Sequence, residues 1–534
     1  MKKIRYSKII ALVLATGMLM TGCAEDTAAE NETTASETSA SVENVTTAKN
    51  KLEPEETTTA PAETEIDLGT VATEITPEYD FSDLPIEELF TYTVFDDHVR
   101  IDKCLKFSEQ YIIPEEIEGK KVTEIGEYCF TDLSGSYERN VIKNVFLPDT
   151  VEVLNECAFS GVGELSGVTI TVPKNLRKIG ESAFSSCGLV DITIPAGVTE
   201  IGENAFSSAA YLKYVKFEGQ LESLPGGCFW GCENLKYLYL PEKLVSIGNN
   251  CFNECEALEE VTIPDSVVEI GDTAFNACAI DNLTIPETVA YIGNGAFNNT
   301  PFLESNQPLI INGILVDYSS ATDDVVLADN ITVIGEGAFI GNKQIKSVDI
   351  PDSVTVIGSR AFQRCKNLES VKIPESVTKI ESAAFYGCEK LNNVVIPDSV
   401  TFIGDSAFER CEILSDITIP ETISDIDGSA FDYTPFLEAN QPLIINNTLI
   451  RYSSDDEITE AVIPDGVTKI TPYAFKRFEI KSVFIPDSVT EIGEGAFLIC
   501  EYLTSVSMPS DVIVGENAFA GTPVEQDSSL IEYR

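Results

Sequence analysis

The chain has 534 residues, with 87 acidic and 35 basic side chains and a formal net charge of −52. This charge excludes nucleic acid as a partner, because phosphate binding requires a basic surface. The length would suit several ordinary domains, but a repeat protein that grows along one axis does not follow that relation.

Residues 1–23 have the pattern of a lipoprotein signal peptide. Basic residues lie among the first eight positions, and the apolar stretch at 9–20 is too short for an ordinary membrane-spanning helix. The segment closes with Met-Thr-Gly-Cys23, which resembles a bacterial lipobox. We expect Cys23 to carry acyl chains that anchor the protein, with no other membrane contact. Plain secretion with an incidental Cys23 is the alternative.

Residues 24–79 are rich in Thr, Glu, Ala and Ser and cannot bury enough apolar surface to fold, which predicts a disordered tether.

Residues 80–119 begin the folded part. The alternation at 90–101 predicts a hairpin around Asp96 and Asp97. Because the end of a repeat stack exposes its core, we expect 80–119 to form an N-terminal cap and first irregular coil. The remainder, 120–534, is then the repeat domain.

A unit of about 23 residues recurs through this remainder and is clearest at 368–390, LESVKIPESVTKIESAAFYGCEK. Val371 and Ile373 alternate with polar residues, which predicts a short strand with one buried face. Pro374 ends that strand, because proline cannot donate to a sheet ladder. Ala384 and Phe385 are then expected to point inward.

The repeat Phe returns at sixteen positions: Phe130, Phe159, Phe184, Phe206, Phe229, Phe252, Phe275, Phe297, Phe339, Phe362, Phe385, Phe408, Phe431, Phe475, Phe497 and Phe519. A fixed period in this range predicts a solenoid. The fold class is therefore mainly β, with about 16 coils of 22–23 residues, short parallel strands and equivalent side chains stacked in a single column.

A glycine usually follows the second Ile of a unit, as at Gly202 and Gly404. Glu381, Asp427 and Thr471 stand at this position in other units. We therefore interpret the glycine as convenient for a tight bend and not as required.

The motif L-x-x-V-x-I-P-x-S-V-x-x-I-G-x-x-A-F-x-x-C resembles the BspA-like, treponemal-type bacterial leucine-rich repeat. The similarity runs from about Ile112 to Phe519. The resemblance implies a curved solenoid that is displayed on a bacterial surface and binds proteins or other cells. It implies no particular ligand, because the repeat itself is scaffold.

Two longer intervals interrupt the period, near 300–320 and 434–454. The segments TPFLESNQPLIINGILVDYSS and TPFLEANQPLIINNTLIRYSS agree at 16 of 21 positions. Asn312-Gly313 and Asn446-Asn447 lie between apolar runs, which predicts a tight β-hairpin in each insertion. Such a hairpin can contact a ligand or serve the architecture, and the sequence leaves both interpretations open.

The fourteen cysteines mostly fall at fixed repeat positions, three residues after the repeat Phe or just before it. This placement predicts free thiols that act as small buried fillers. Stacked residues such as Cys232 and Cys255 suit the disulfide dihedral poorly. The spacing of Cys228 and Cys232 resembles half a zinc site, but no histidine lies near, so we expect neither metal nor cofactor.

The sequence argues against an enzyme. It has one histidine, His98, and no metalloprotease, phosphate-loop or nucleophile-elbow motif. With 87 acidic residues, close carboxylate pairs arise by chance. We expect no catalytic residues.

A binding surface is better sought where the repeat departs from its pattern. Tyr214 and Lys216 occupy the outward strand positions of one unit, and Tyr237 and Tyr239 occupy them in the next. Trp230, the one tryptophan, follows the repeat Phe between these units. Exposed aromatic clusters are typical of protein or glycan contacts. We predict a contact patch of the tyrosines and Lys216 with Trp230 near it, the alternative being rings that cover a local irregularity.

Together these features predict a lipid-anchored leucine-rich-repeat protein on the outside of a bacterial cell, with an extracellular protein or glycan as its ligand. Its expected role is non-catalytic binding or adhesion to host proteins, glycans or other cells. The alternatives are a structural envelope spacer without a dedicated ligand and a polysaccharide-binding accessory protein.

Overall fold

The computed structural model describes residues 84–106, 108–131, 142–163, 167–452 and 459–534. These residues belong to one compact unit. The predicted signal peptide, Cys23 and the predicted tether lie outside the described residues. Within the described ranges, every helix is too short or too polar to cross a bilayer.

The described chain forms a mainly β solenoid of about 18 turns. In one regular turn, the strand Ser370–Lys372 alternates outward, inward and outward, as predicted. A second strand of two residues, Lys379–Ile380, follows the proline turn. Successive turns then close through Phe385 and Cys388, which are fully buried. Most turns therefore have two strand positions, of which the sequence indicated only the first, and the turns that contain residues 259–263 and 281–285 have only the second.

We call the first set of strands the proline ladder, because most of its members precede the repeat proline. Its strands pair in parallel with those of neighbouring turns. Its members are Gln110–Ile112, Asn144–Phe146, Thr169–Ile170, Asp191–Ile194, Tyr214–Phe217, Tyr237–Tyr239, Asp323–Val326, Ile345–Asp349, Ser370–Lys372, Asn393–Val395, Asp416–Thr418, Glu460–Val462, Ser482–Phe484, Ser505–Met508 and Ile531–Tyr533.

The second set is the glycine ladder, whose strands precede the repeat glycine. Its parallel members are Lys120–Ile125, Val153–Leu154, Lys178–Ile179, Glu200–Ile201, Ser223–Leu224, Ser246–Ile247, Glu269–Ile270, Tyr291–Ile292, Val333–Ile334, Val356–Ile357, Lys379–Ile380, Phe402–Ile403, Asp425–Ile426, Lys469–Ile470, Glu491–Ile492 and Ile513–Val514. The two-residue strands are too short to show a period of two in the sequence.

The N-terminal end is closed by antiparallel pairs. Phe90–Val94 pairs with Val99–Cys104 around the predicted turn, and the latter strand joins the glycine ladder. A smaller hairpin joins Glu116–Ile117 to the first ladder strand. The helices are short: Ile86–Leu89, Pro301–Ser305, Pro435–Ala439 and Pro523–Gln526, with a 3₁₀ turn at Ser528–Leu530.

Both insertions are hairpins, as predicted. Leu309–Ile311 pairs antiparallel with Ile314–Asp317, and Leu443–Ile445 pairs in the same way with Thr448–Arg451. Both residues of each turn have positive φ, 51° and 81° in the first hairpin and 50° and 59° in the second. This is the backbone of a type I′ turn. The second strand of each hairpin joins the glycine ladder of the following turns.

The repeat phenylalanines stack ring on ring, but not in the single column that the period suggested. Phe362, Phe385 and Phe408 have centroids 5.1 and 5.2 Å apart and nearly parallel planes. The column instead forms three runs, 130–297, 339–431 and 475–519, separated by the hairpins. Tyr318 and Tyr452 pack on the first rings of the second and third runs. Each insertion therefore holds a further turn with Tyr in place of Phe, which explains about 18 turns where 16 were expected.

The apolar core is divided in the same way into three clusters. The second strand of each hairpin forms the partition, because its side chains alternate between two cores. Ile314 and Val316 face the first core, whereas Leu315 faces the second. Likewise Ile450 faces the second core and Leu449 the third.

The repeat glycine is selected by close backbone approach and not by a bend with positive φ. A Cβ on Gly404 would lie 2.6 Å from the Ser382 nitrogen of the turn before, a distance that real Cβ atoms do not reach. The left-handed residues lie elsewhere, two positions before and after the repeat Phe, as at Ser182 (φ 52°) and Ser186 (φ 53°). The interpretation of the glycine as convenient for a bend was therefore wrong at such contacts.

The described cysteines are free thiols, as predicted, and all but Cys157 are buried. The Cys388 thiol donates to the Phe362 carbonyl oxygen of the preceding turn at 3.2 Å. Burial raises the pKa of Cys365 and Cys411 to about 12, so these thiols stay protonated and unreactive at neutral pH.

Candidate functional site

The predicted contact residues on the proline ladder do lie together. Tyr214 is in register with Tyr237, and Lys216 is in register with Tyr239, on adjacent parallel strands. The rings of Tyr214 and Tyr239 are 5.6 Å apart across the diagonal. Tyr237 and Tyr239 are 41% and 49% exposed, whereas Val215 and Leu238 between them are buried. We call this surface of Tyr214, Lys216, Tyr237 and Tyr239 the tyrosine face.

The charge around the tyrosine face differs from that of the chain as a whole. Lys213 and Lys236 directly precede the two strands and are exposed. Lys236 pairs with Glu259 of the next turn at 3.3 Å. The pKa of Tyr214 is raised by burial first and then by Tyr239 and Asp191, so its hydroxyl remains a neutral donor. The face thus combines aromatic rings with lysine side chains in a strongly acidic protein.

Trp230 does not join the tyrosine face. It is 43% exposed and lines a groove of about 450 Å³ together with Glu203, Asn204, Gly226, Gly227, Asn249 and Asn250. None of the tyrosines is among these lining residues. Trp230 therefore faces a concavity whose lining holds none of the predicted tyrosines.

We call this concavity the Gly226 groove; the sequence interpretation missed it. The glycine ladder ends at Glu200–Ile201 and restarts at Ser223–Leu224, where Pro225 stands in place of the repeat glycine and has no N–H to donate. Two glycines follow Pro225. The signal was present in the sequence as Gly226-Gly227, at two positions that carry side chains in the neighbouring units.

A second concavity of about 460 Å³ lies at the N-terminal end and also had no sequence signal. Its apolar walls include Leu84, Ile86 and Ile117. The Tyr92 hydroxyl at its rim donates to Glu87 and Glu118. These residues cover the open end of the first core, which accounts for the apolar lining.

The remaining candidates are structural in their contacts. His98 stacks on Phe95 at 4.5 Å, and its two ring nitrogens lie near Asp97 (2.7 Å) and Glu124 (3.4 Å). Among the described residues, no group of three or more His, Cys, Asp or Glu side chains is placed to hold a metal ion.

Comparison with solved structures returns several bacterial proteins that are described as leucine-rich. A leucine-rich cell surface protein from Faecalibacterium prausnitzii A2-165 is 28% identical, with a TM-score of 0.39 over 66% of this chain and 94% of that one. A leucine-rich repeat protein from Bacteroides ovatus ATCC 8483 is 24% identical, with a TM-score of 0.33 over 81% and 95%. The pneumococcal vaccine antigen PcpA is 20% identical, with a TM-score of 0.36 over 76% and 92%.

No curated protein matches the sequence. The family model described as the BspA type leucine-rich repeat region (6 copies) matches residues 123–258, 222–308, 317–438 and 450–528. These matches extend over most of the described solenoid and over more than half of the chain. The chain therefore belongs to the BspA-type leucine-rich-repeat family.

Proposed function

We propose that this protein is a non-catalytic binding protein, anchored through Cys23 to the outside of a bacterial cell, and that the tyrosine face contacts an extracellular protein or glycan ligand. The proposal rests on one observation above all. Two adjacent turns place three tyrosines and a lysine on the outer surface of one sheet, where most other turns carry small polar or charged side chains.

The chemistry of this face suits a protein ligand. Tyrosine supplies a large rigid contact with a polar tip and is enriched in the residues that carry binding energy. The neighbouring lysines favour a partner with acidic groups, since like charges across an interface are unfavourable. The strands are held by the ladder on one side and the core on the other, so the face needs little ordering on binding.

The test is binding of the purified solenoid to immobilised host matrix proteins, cell-wall glycans and whole bacteria. The variant Tyr237→Ala/Tyr239→Ala should lose saturable binding to the ligand. Asn393→Ala/Val395→Ala is the matched control, because these exposed residues occupy the same outward positions of another turn. Melting temperatures of both variants show whether the fold is intact.

Two results would contradict the proposal. Undiminished binding by the tyrosine variant would remove the tyrosine face as the contact. Absence of saturable binding to any of the three ligand classes would favour a structural spacer of the envelope.

The anchor is tested separately with Cys23→Ser in the bacterial host. The unchanged chain should remain with the membrane fraction, and the variant should not acquire a lipid label. Equal lipid labelling of the two chains would refute attachment at Cys23.

A further inference from the structure

The Gly226 groove arises because one turn lacks two side chains that its neighbours carry. The two positions before the Cys-Phe or Ala-Phe pair hold Glu203 and Asn204 in the preceding turn, and Asn249 and Asn250 in the following one. The turn between them holds Gly226 and Gly227. The removal of side chains from a single turn of a regular stack leaves a notch bounded by the turns on either side.

The backbone leaves this notch open at Gly226. An added Cβ at Gly226 would find only the Asn249 carbonyl oxygen, at 3.4 Å, an ordinary contact. At Gly227 the side-chain oxygen of Asn204 already occupies the space that an added Cβ would need. Asn204 therefore forms part of the floor, and the free space lies above Gly226.

The polar groups around the notch are oriented by bonds on their far sides. The Asn249 side-chain oxygen accepts from the Asp272 backbone nitrogen at 2.8 Å, and that of Asn250 accepts from the Thr273 hydroxyl at 2.7 Å. Within the described ranges, neither amide nitrogen has a hydrogen-bond partner, and the exposed Glu203 carboxylate has no ion pair. The notch thus presents planar donors and one acceptor beside a half-exposed indole.

This set of groups fits a pyranose ring. A pyranose has one face of C–H groups, which can lie on an aromatic face, and a rim of hydroxyls that need both donors and acceptors. A cleft with an apolar wall and a few fixed polar groups is the usual form of a small-molecule site. Glu203 and the net charge of −52 disfavour anionic sugars.

We propose that the Gly226 groove binds a neutral pyranose unit of a glycan, which lies on Trp230 and hydrogen-bonds to Glu203, Asn249 and Asn250. This site is separate from the tyrosine face and does not depend on it. It adds a saccharide site to a family whose repeat by itself specifies no ligand.

Trp230 supplies the measurement, because it is the one tryptophan of the chain and its fluorescence reports the groove alone. The purified protein is titrated with cellotetraose, chitotetraose and mannotetraose, with tetragalacturonate as the anionic comparison. At least one neutral tetrasaccharide should give a saturable change with a dissociation constant in the millimolar range or below. Tetragalacturonate should give none.

Two variants locate the site. Gly226→Glu restores the side chain of the neighbouring turns at a position with room for it, and should weaken binding by roughly tenfold or more. Asn249→Ala removes one amide donor of the groove and should weaken binding, and its melting temperature measures the cost of the lost bond to the Asp272 nitrogen. The variant Tyr237→Ala/Tyr239→Ala should bind saccharide as the unchanged protein does.

The proposal is overturned if no neutral tetrasaccharide gives a saturable change, if the change persists undiminished in both groove variants, or if tetragalacturonate binds as well. Loss of saccharide binding in the tyrosine variant would refute the separation of the two sites.

Discussion

The two insertions are copies of one segment with the same backbone, yet different polar contacts hold the last residue of each hairpin. In both, a buried threonine begins the short helix and an asparagine side chain ties the hairpin to the turn before it: Thr300 and Asn312 in the first copy, Thr434 and Asn446 in the second. Five of the 21 positions differ, and the one that changes the charge is the last residue of the hairpin, Asp317 against Arg451.

These two residues have different surroundings. Asp317 is partly exposed and accepts from Gln307 at 2.7 Å and from the backbone and hydroxyl of Ser319 at 2.9 and 2.8 Å. Arg451 is 8% exposed, pairs with Asp432 at 2.9 Å and lies 4.7 Å from the centre of the Phe478 ring.

Three positions differ together between the copies. The first copy has Asn298, Asp317 and Asn342 where the second has Asp432, Arg451 and Phe478. A buried charge is costly without its partner, so Arg451 and Asp432 depend on each other, and the ring of Phe478 adds a further contact to the cation. The backbone is thus set by the caps and the turn, whereas the polar contacts can be replaced as a set.

The largest predicted effect separates the two copies. Arg451→Ala leaves the buried Asp432 carboxylate unpaired and should lower the free energy of unfolding by about 3–5 kcal/mol at neutral pH. Asp317→Ala removes hydrogen bonds at a partly exposed site and should cost about 1 kcal/mol. Urea unfolding followed by circular dichroism measures both, and equal losses would contradict the difference between the copies.

The matched control carries the residues of the first copy at all three positions of the second. Asp432→Asn/Arg451→Asp/Phe478→Asn should recover most of the stability lost in Arg451→Ala, because it removes the unpaired charge and the ring contact together. A loss greater than that of Arg451→Ala would show that the three positions are not coupled.

The second prediction concerns pH. The pKa of Asp432 is raised from 3.8 to about 6, by burial first, against the opposing effect of Arg451 and with smaller contributions from Glu409, Asp427 and Asp405. The folded state therefore holds the proton more firmly than the unfolded state. The resulting stabilisation is complete below pH 3.8 and is lost as the pH rises through about 6.

The measurement is the free energy of unfolding of the unchanged protein minus that of Asp432→Asn, followed between these two pH values. The difference should fall as the pH rises. A flat or rising difference would show that the Arg451 ion pair outweighs the burial of Asp432.

The third prediction is that the threonine at the start of each short helix contributes equally to stability in the two copies. The Thr300 and Thr434 hydroxyls each donate to the repeat Phe carbonyl at 2.6 Å and accept from the third residue of the helix at 3.1 and 3.2 Å. Replacement of either by Ala should cost about 1 kcal/mol. Thermal unfolding of both variants checks this, and clearly unequal costs would show that the caps do not act alike.

The smallest effect tests the hairpin turns. The second turn residue is Gly313 in one copy and Asn447, at φ 59°, in the other. Because glycine adopts positive φ without a Cβ clash, Asn447→Gly should stabilise the protein by a few tenths of a kcal/mol, and Gly313→Asn should destabilise it by a similar amount. The shift in melting temperature gives the sign, and shifts of the same sign would refute the argument.

Several features were predictable because they depend on local chemistry. The strand before Pro374, the buried Phe385 and the hairpin turns at Asn312 and Asn446 follow from alternation and turn propensity within a few residues. Tyr214, Tyr237 and Tyr239 were also placed correctly on one face, since parallel strands keep equivalent positions in register.

The features that were missed depend on contacts between turns. The requirement for Gly404 comes from the backbone of the turn before it, and the pairing of Arg451 with Asp432 joins residues on either side of a hairpin. The turns of Tyr318 and Tyr452 were not predicted because tyrosine there replaces the phenylalanine that marks the other turns. The neighbours of Trp230 in the Gly226 groove come from the turns before and after it, and the spacing within one unit does not show them.

The partition strands divide the molecule into units that can fail separately. Neighbouring cores meet at a partition strand, Ile314–Asp317 or Thr448–Arg451, whose side chains point alternately into one core and the other. A force that pulls the two ends of the described chain apart would therefore meet three barriers in sequence. Under such a force the protein would lengthen in steps, as one core after another unfolds. The cores that remain folded would keep their outer surfaces available for binding.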